Sequence, residues 1–213
     1  MMKQNKVKFI VTTFVNLLPM LIGIILWQKL PDTLAIHFGA DNSANGWGSK
    51  MFTVFGMPLI ITALHILCIT VTALDPRKNN IGKRLIGMSY WIIPIISLLL
   101  YTVVYSVALG YKINVVMVCH IFLGILFIVL GNLLPKVKQN STLGIRIPWT
   151  LKDSENWNRT HRIAGWSMAI GGVAAIATAF ISNLYVMLII LIISLVIPMV
   201  YSYCFYKRNS SGK

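Results

Sequence analysis

Residues 52–74 read FTVFGMPLIITALHILCITVTAL, twenty-three positions without one Asp, Glu, Lys or Arg. A run of about 20 such residues is what an α-helix needs to cross the hydrocarbon core of a bilayer. Five more charge-free runs lie to either side: Phe9–Trp27, Leu85–Leu109, Ile113–Leu134, Ile163–Ser182 and Leu184–Tyr206. Backbone in lipid must satisfy its own hydrogen bonds, so each run is read as a helix. The pattern predicts an all-α membrane protein, a six-helix bundle in which 1–213 form a single integral membrane domain. One half, 1–111, carries a loop at 28–51; the other, 112–213, carries a loop at 135–162. The first run is longer than the apolar core of a leader peptide. Gln28-Lys29-Leu30-Pro31 after it offers no small-x-small cleavage site, so it is expected to stay as an anchor.

Composition agrees. Of 213 residues 57% are hydrophobic and 11% charged, with mean hydropathy +0.76, where soluble domains carry about 25% charged residues. Disorder is excluded by the hydrophobicity, and a soluble domain of this kind would expose large apolar patches. Cys68, Cys119 and Cys204 form neither a CxxC pair nor an even framework, so no disulfide scaffold or zinc site is indicated.

The net charge of +14 reports topology. With six spans both termini share a side. That side holds Lys3, Lys6, Lys8, Arg77, Lys78, Lys83, Arg84, Lys136, Lys138, Arg146, Lys152, Arg159, Arg162, Lys207, Arg208 and Lys213, against Lys29, Lys50 and Lys112 opposite. The positive-inside rule then places both termini in the cytoplasm of a multi-pass protein. The excess charge is read as attraction to anionic lipid rather than to nucleic acid.

Within the spans, Pro19, Pro58, Pro94 and Pro198 suggest kinks. Ser167, Gly171, Ala175 and Ala179 form a small-residue stripe at i,i+4 spacing that lets a neighbouring helix approach. Trp27, Trp47, Trp149, Trp157, Trp166 and the tyrosines at 201, 203 and 206 lie near span ends, where aromatic side chains anchor at the interface. The ionisable residues inside spans are His65 and His120, read as neutral and hydrogen-bonded within the bundle, as are Asn16 and Asn132. No membrane carboxylate is present, which weighs against proton- or sodium-coupled transport.

HExxH, GxSxG and the P-loop are absent, so no catalytic residue, cofactor or metal is assigned and the chain is not read as an enzyme. Asp41, Ser43, Asn45 and Gly46 imitate the start of a calcium loop, but its twelfth position is Phe52. His37 and Asp41 alone make a weak metal pair. The glycines and Asn/Asp residues of 28–51 indicate a tight structural loop or an outward recognition surface. In 135–162, Thr150-Leu151-Lys152-Asp153 has the form of a helix start, and Asp153 and Glu155 are read as capping residues. The helix from Ser154 onward runs into the fifth span, with Trp157 and His161 on one face. That helix is either an amphipathic surface helix or a docking site for a cytoplasmic partner or an anionic headgroup.

Both loops resemble the bacterial SdpI-type immunity protein family. The first, through Leu30, Pro31, His37, Phe38, Gly46, Trp47, Gly48 and Lys50, is similar to that family's N-terminal half. The second is similar to its signature through Gly131-Asn132, Leu134-Pro135-Lys136, Gly144-Ile145-Arg146, Pro148-Trp149-Thr150-Leu151, Trp157, Thr160-His161-Arg162 and Gly165. The resemblance implies a bacterial cell-membrane protein that protects its cell from a secreted antimicrobial peptide met on the outer side. It also implies signalling, by retention of a helix-turn-helix repressor on the cytoplasmic side, with membrane lipids as surroundings and no direct nucleic-acid contact. The site residues it suggests are Pro31, His37, Phe38, Gly46, Trp47 and Lys50 outside, and Asn132, Pro135, Arg146, Pro148, Trp149, Thr150, Trp157, Thr160, His161 and Arg162 inside. The alternative left open is a lipid or small-molecule transporter or permease, suggested by the kinked helices and the cationic inner surface.

Overall fold

A computed structural model describes residues 5–210 of the chain; Lys3 and Lys213 of the charge pattern lie outside them. The chain is mostly helical and divides into two compact units, Met1–Leu74 with Ile86–Val115, and Asp75–Leu85 with Val116–Lys213. By length and composition five helices can cross a membrane, over Lys6–Ile25, Phe52–Leu74, Lys83–Ala108, Val115–Lys136 and Leu184–Ser210. The protein is a multi-pass membrane protein.

The first unit contains α1 (Lys6–Ile25), strands β1 (Thr33–Phe38) and β2 (Ala44–Ser49), α2 (Met57–Leu74) and most of α3 (Lys83–Ala108). A π-helical turn, Phe52–Gly56, leads into α2 just before Pro58. The Tyr101 hydroxyl donates to the Thr53 carbonyl in that turn at 2.7 Å, and Tyr105 donates to the Pro19 carbonyl at 2.8 Å. Around these bonds Leu30, Leu34, Val54, Tyr101, Val104 and Tyr105 form an apolar core. About two turns back along α1 from Pro19, Thr12 Oγ1 and His65 Nε2 lie 3.1 Å apart and Phe9 stacks on the His65 ring. The side-chain amide of Asn16 is buried with neither of its polar atoms partnered among the described residues.

The all-α expectation needs one correction. Segment 28–51 holds an antiparallel hairpin, in which Thr33 faces Ser49, Leu34 faces Gly48 and Ala35 faces Trp47. Few of its residues are strong strand formers. The pairing is made by close approach, since a Cβ on Gly48 would stand 2.7 Å from Thr53 Oγ1 and one on Gly46 2.9 Å from His37 Cβ.

The second unit contains α4 (Val115–Leu133, Val115 itself belonging to the first), a short α5 (Pro148–Lys152), α6 (Ser154–Ala177) and α7 (Leu184–Ser210). The run Ile163–Ser182 is not among the five apolar spans. It forms the later part of α6, whose helix ends at Ala177 and passes into a 3-10 turn at Ala179–Ile181. Because α6 begins at Ser154 and ends at Ala177, its apolar part is shorter than the run and shares the helix with the polar residues 154–162. That apolar part is pressed on two faces and is rich in small residues. Against α7, a Cβ on Gly171 would overlap Ser194 Oγ, and Ser167 donates to the Ser194 carbonyl at 2.8 Å. The stripe Ser167, Gly171, Ala175 and Ala179 thus packs as its spacing implies. Against α4, a Cβ on Gly131 would stand 2.7 Å from the Gly165 carbonyl, and one on Gly124 2.7 Å from that of Gly172. Phe127, Met168, Ala175, Met187 and Leu191 fill the space between.

Candidate functional site

In the second unit the segment 135–162 is ordered by buried polar side chains, and its organiser is Asp75. This carboxylate, 4% exposed, accepts from the amides of Arg77 at 2.7 Å and Ser141 at 3.0 Å, and from the Thr142 hydroxyl. Burial alone would raise its pKa. The bonds from Thr142, Arg77 and Ser141, with the positive charge of Arg146, overcome burial and hold it below the ordinary carboxylate value. Arg146 also donates to the Ser141 carbonyl. Asn140, fully buried, closes the same turn, accepting from the amides of Thr142 and Leu143 at 2.8 and 2.7 Å.

The chain then passes Gly144 in the left-handed region, φ 110°, where a Cβ would run into His161 Nε2. The next amide, Ile145, donates to His161 Nε2 at 3.0 Å, and His161 Nδ1 donates to the Trp157 carbonyl at 2.8 Å. Those two bonds define a neutral imidazole protonated on Nδ1, and burial lowers its pKa. Its ring stacks on Trp157 at 4.1 Å between centroids. Trp157, with no exposed surface, donates through Nε1 to the Val137 carbonyl at 2.7 Å. Thr150 is buried inside α5, where its hydroxyl donates to Ile145 and accepts from the Ile147 amide at 3.1 Å. The N-cap of α6 is Asp153, bonded to the Glu155 amide at 2.8 Å, so the helix begins three residues later than a Thr150 cap would place it.

Thr160 and Asn156 form a second buried set with Ser202 of α7. Thr160 donates to Asn156 Oδ1 at 2.9 Å, and Asn156 donates to the Ser202 carbonyl at 3.1 Å. Trp149 is half-buried between Tyr203 and Tyr206, at 5.6 and 5.8 Å. Asn132, Pro135, Arg146, Pro148 and Arg162 are exposed. Asn158, Arg159 and Arg162 form the exposed face of this part of α6, and Trp157, Thr160 and His161 face inward. Asp75, Asn140 and Asn156 were missed by motif reading. The available signal was that Asp75 is one of only five acidic residues in a strongly basic chain.

In the first unit the hairpin displays His37 and Trp47, the latter 59% exposed. His37 Nδ1 lies 2.5 Å from Asn45 Oδ1, a contact that orients the imidazole. The turn is set by Asp41, which accepts from the hydroxyl and amide of Ser43; those bonds lower its pKa. Asn42, at φ 65°, donates to the Ile113 carbonyl at 3.1 Å and accepts from the Val115 amide at 2.6 Å, tying the tip down. Lys50 pairs with Asp32 at 3.4 Å and lies over the Trp27 ring at 5.2 Å, so it anchors the base of the hairpin. Pro31 is exposed and Phe38 half-buried. Gly46 permits the contact with His37. Among the described residues no three of His, Cys, Asp and Glu gather where they could hold a metal ion.

Comparison with known proteins agrees with this division. Residues 136–202 match the SdpI/YfhL protein family, and residues 14–62 match a domain of unknown function (DUF1648). The chain is 29% identical over 215 residues to the Immunity protein SdpI of Bacillus subtilis (strain 168), and the alignment covers the whole of both. No solved structure matches. The matched 136–202 segment contains the His161–Trp157–Gly144 assembly, and the full-length alignment carries the likeness through the hairpin, so the chain is similar to the SdpI/YfhL protein family over 136–202 and to an immunity protein along its whole length.

Proposed function

We propose that this chain is a membrane immunity protein of a bacterial cell membrane, protecting its cell from a secreted antimicrobial peptide. The end-to-end similarity to an immunity protein carries the reading. In this proposal α6 completes six spans, both termini are cytoplasmic and the hairpin faces outward. The peptide meets the exposed His37–Trp47 face, an aromatic surface held rigid at its tip and base. Inside, Arg146, Pro148 and Arg162 offer a cationic surface to a partner such as a helix-turn-helix repressor. The role calls for binding and needs no bond-making step.

Survival of a toxin-sensitive bacterium expressing the chain tests this. Wild type protects, and Trp47→Ala at equal membrane abundance loses protection. Arg146→Ala, also confirmed in the membrane, separates the cytoplasmic surface from the outer one. Equal killing with and without the wild-type chain refutes the immunity role for that peptide. The transporter reading draws on one observation, the unpartnered buried amide of Asn16 close in sequence to the Thr12–His65 contact. Substrate-dependent flux in proteoliposomes is its test.

A further inference from the structure

A groove of about 460 Å³ lies between the end of α4 and the middle of α6. Its floor is backbone: Gly131 and Gly165 touch so closely that a Cβ on either would stand within 2.9 Å of the other's carbonyl, and the Pro135 ring closes one end. Its mouth carries Lys136 and Arg162, and no acidic residue lines it. Neither cation is in an ion pair among the described residues. Lys136 donates one bond, to Asn132 Oδ1 at 3.2 Å, which leaves two ammonium protons to be used elsewhere. Away from the cations the wall is Ile128, Trp166 and Ala169, and the indole of Trp166 is 70% exposed.

The order of these groups along the chain matters. Lys136 is the first charge after α4, and Arg162 is the last before the apolar part of α6. The cations therefore lie at the level where headgroups begin, and the apolar wall extends from them toward the hydrocarbon. We infer that this groove binds an anionic phospholipid, its phosphate held between the Arg162 guanidinium and the Lys136 ammonium and one acyl chain laid along Ile128, Trp166 and Ala169. A planar guanidinium offers paired donors to a phosphate, and the ammonium adds a point charge. A free phosphate would use the same cations and leave the apolar wall without a role.

Native mass spectrometry of the purified protein tests the assignment. The probes are phosphatidylglycerol, phosphatidylcholine with the same acyl chains, and inorganic phosphate. Phosphatidylglycerol is expected to be retained at least about tenfold better than phosphatidylcholine, the discrimination of one charge-assisted contact. Retention falls by a similar factor in Lys136→Gln/Arg162→Gln. It is unchanged in Lys138→Gln/Lys152→Gln, which removes the same charge outside the groove. Equal retention of the two lipids by the wild-type protein overturns the proposal, as does equal loss in both double variants. Thermal stabilisation by inorganic phosphate equal to that by phosphatidylglycerol also overturns it, in favour of a free-anion site. The comparison of lipids on the unaltered protein decides the matter even if a variant fails to fold.

Discussion

Asp75→Asn should loosen the segment 139–147 while leaving the helices in place. The substitution keeps the side chain's size and replaces one carboxylate oxygen by an NH2 group. The Asp75 oxygen facing Arg77 accepts one amide, and the other accepts the Ser141 amide and the Thr142 hydroxyl. Asn can preserve the first of these by presenting its carbonyl to Arg77. Its NH2 then faces the Ser141 N–H, donor to donor, although the Thr142 hydroxyl can turn to accept. One or two charge-assisted bonds are lost, at about 1.5–3 kcal/mol each, so the cost is about 2–4 kcal/mol. At about 1.4 kcal/mol per tenfold, local opening rises by roughly 30-fold or more. Hydrogen exchange read on a peptide covering 139–147 measures it directly. Asp32→Asn is the control, because its partner contact with Lys50 is made by a fully exposed carboxylate and exposed pairs contribute little. The same carboxylate sets a pH response. Its pKa is lowered by folding, so its stabilisation is complete above the ordinary value of 3.8 and is lost as pH falls through the lower folded value. Pepsin, which works in acid, should begin to cut within 139–147 only below that pH. Exchange in Asp75→Asn equal to wild type would refute the reasoning and leave Asn140, Thr150 and Trp157 as sufficient organisers.

Two further substitutions test the packing. Gly144→Ala must place a Cβ at φ 110° and against His161 Nε2. It should cost about 2 kcal/mol or more and expose the buried Trp157, read as a shift in tryptophan fluorescence and a lower melting temperature; an unshifted melt refutes the close contact. Gly171→Leu drives a side chain into Ser194 of α7 and should sharply reduce folded protein on gel filtration, whereas Val173→Leu on the exposed face of the same helix should not.

Much of the helical layout is legible in one-dimensional chemistry because lipid imposes a simple rule on charge. The run ends at Trp27, Leu74, Leu109, Leu134 and Tyr206 fall within a few residues of the observed helix ends. Caps and turns are where that rule weakens. The Ile163–Ser182 run is apolar, yet the helix that contains it begins at Ser154 and ends at Ala177, because Asp153 caps it early and the chain turns at Ala179–Ile181. The hairpin was hidden for a related reason: glycines at 46 and 48 read as turn residues, while in the fold they are places where β2 touches His37 and Thr53. Asp75 was illegible as an organiser because its partners Ser141 and Thr142 lie 66 and 67 residues away. The i,i+4 pairing of Trp157 with His161 was visible in the spacing. Which side of the helix it faced was not, because Glu155, Asn158, Arg159 and Arg162 make the same stretch look solvated.

These placements change how loss of function in this chain should be read. The residues that make 135–162 recognisable depend on one another. Gly144 leaves room for His161, whose ring fixes the Ile145 amide and the Trp157 carbonyl, and Trp157 in turn reaches Val137. Thr150 closes the turn between Ile145 and Ile147. A substitution at any of these removes the local fold before it removes a contact with a partner, because each buried group leaves another unpaired. His161 adds a pH dependence of the same origin. It is neutral in the fold with a lowered pKa, so stability declines as pH drops from about 6.5 toward the folded value. Arg146 is exposed but tied to Ser141 and Asp75, so the exposed set outside that network is small: Pro148 and Arg162 on one unit, His37 and Trp47 on the other. Only there does an inactive variant with wild-type abundance and melting temperature speak about binding.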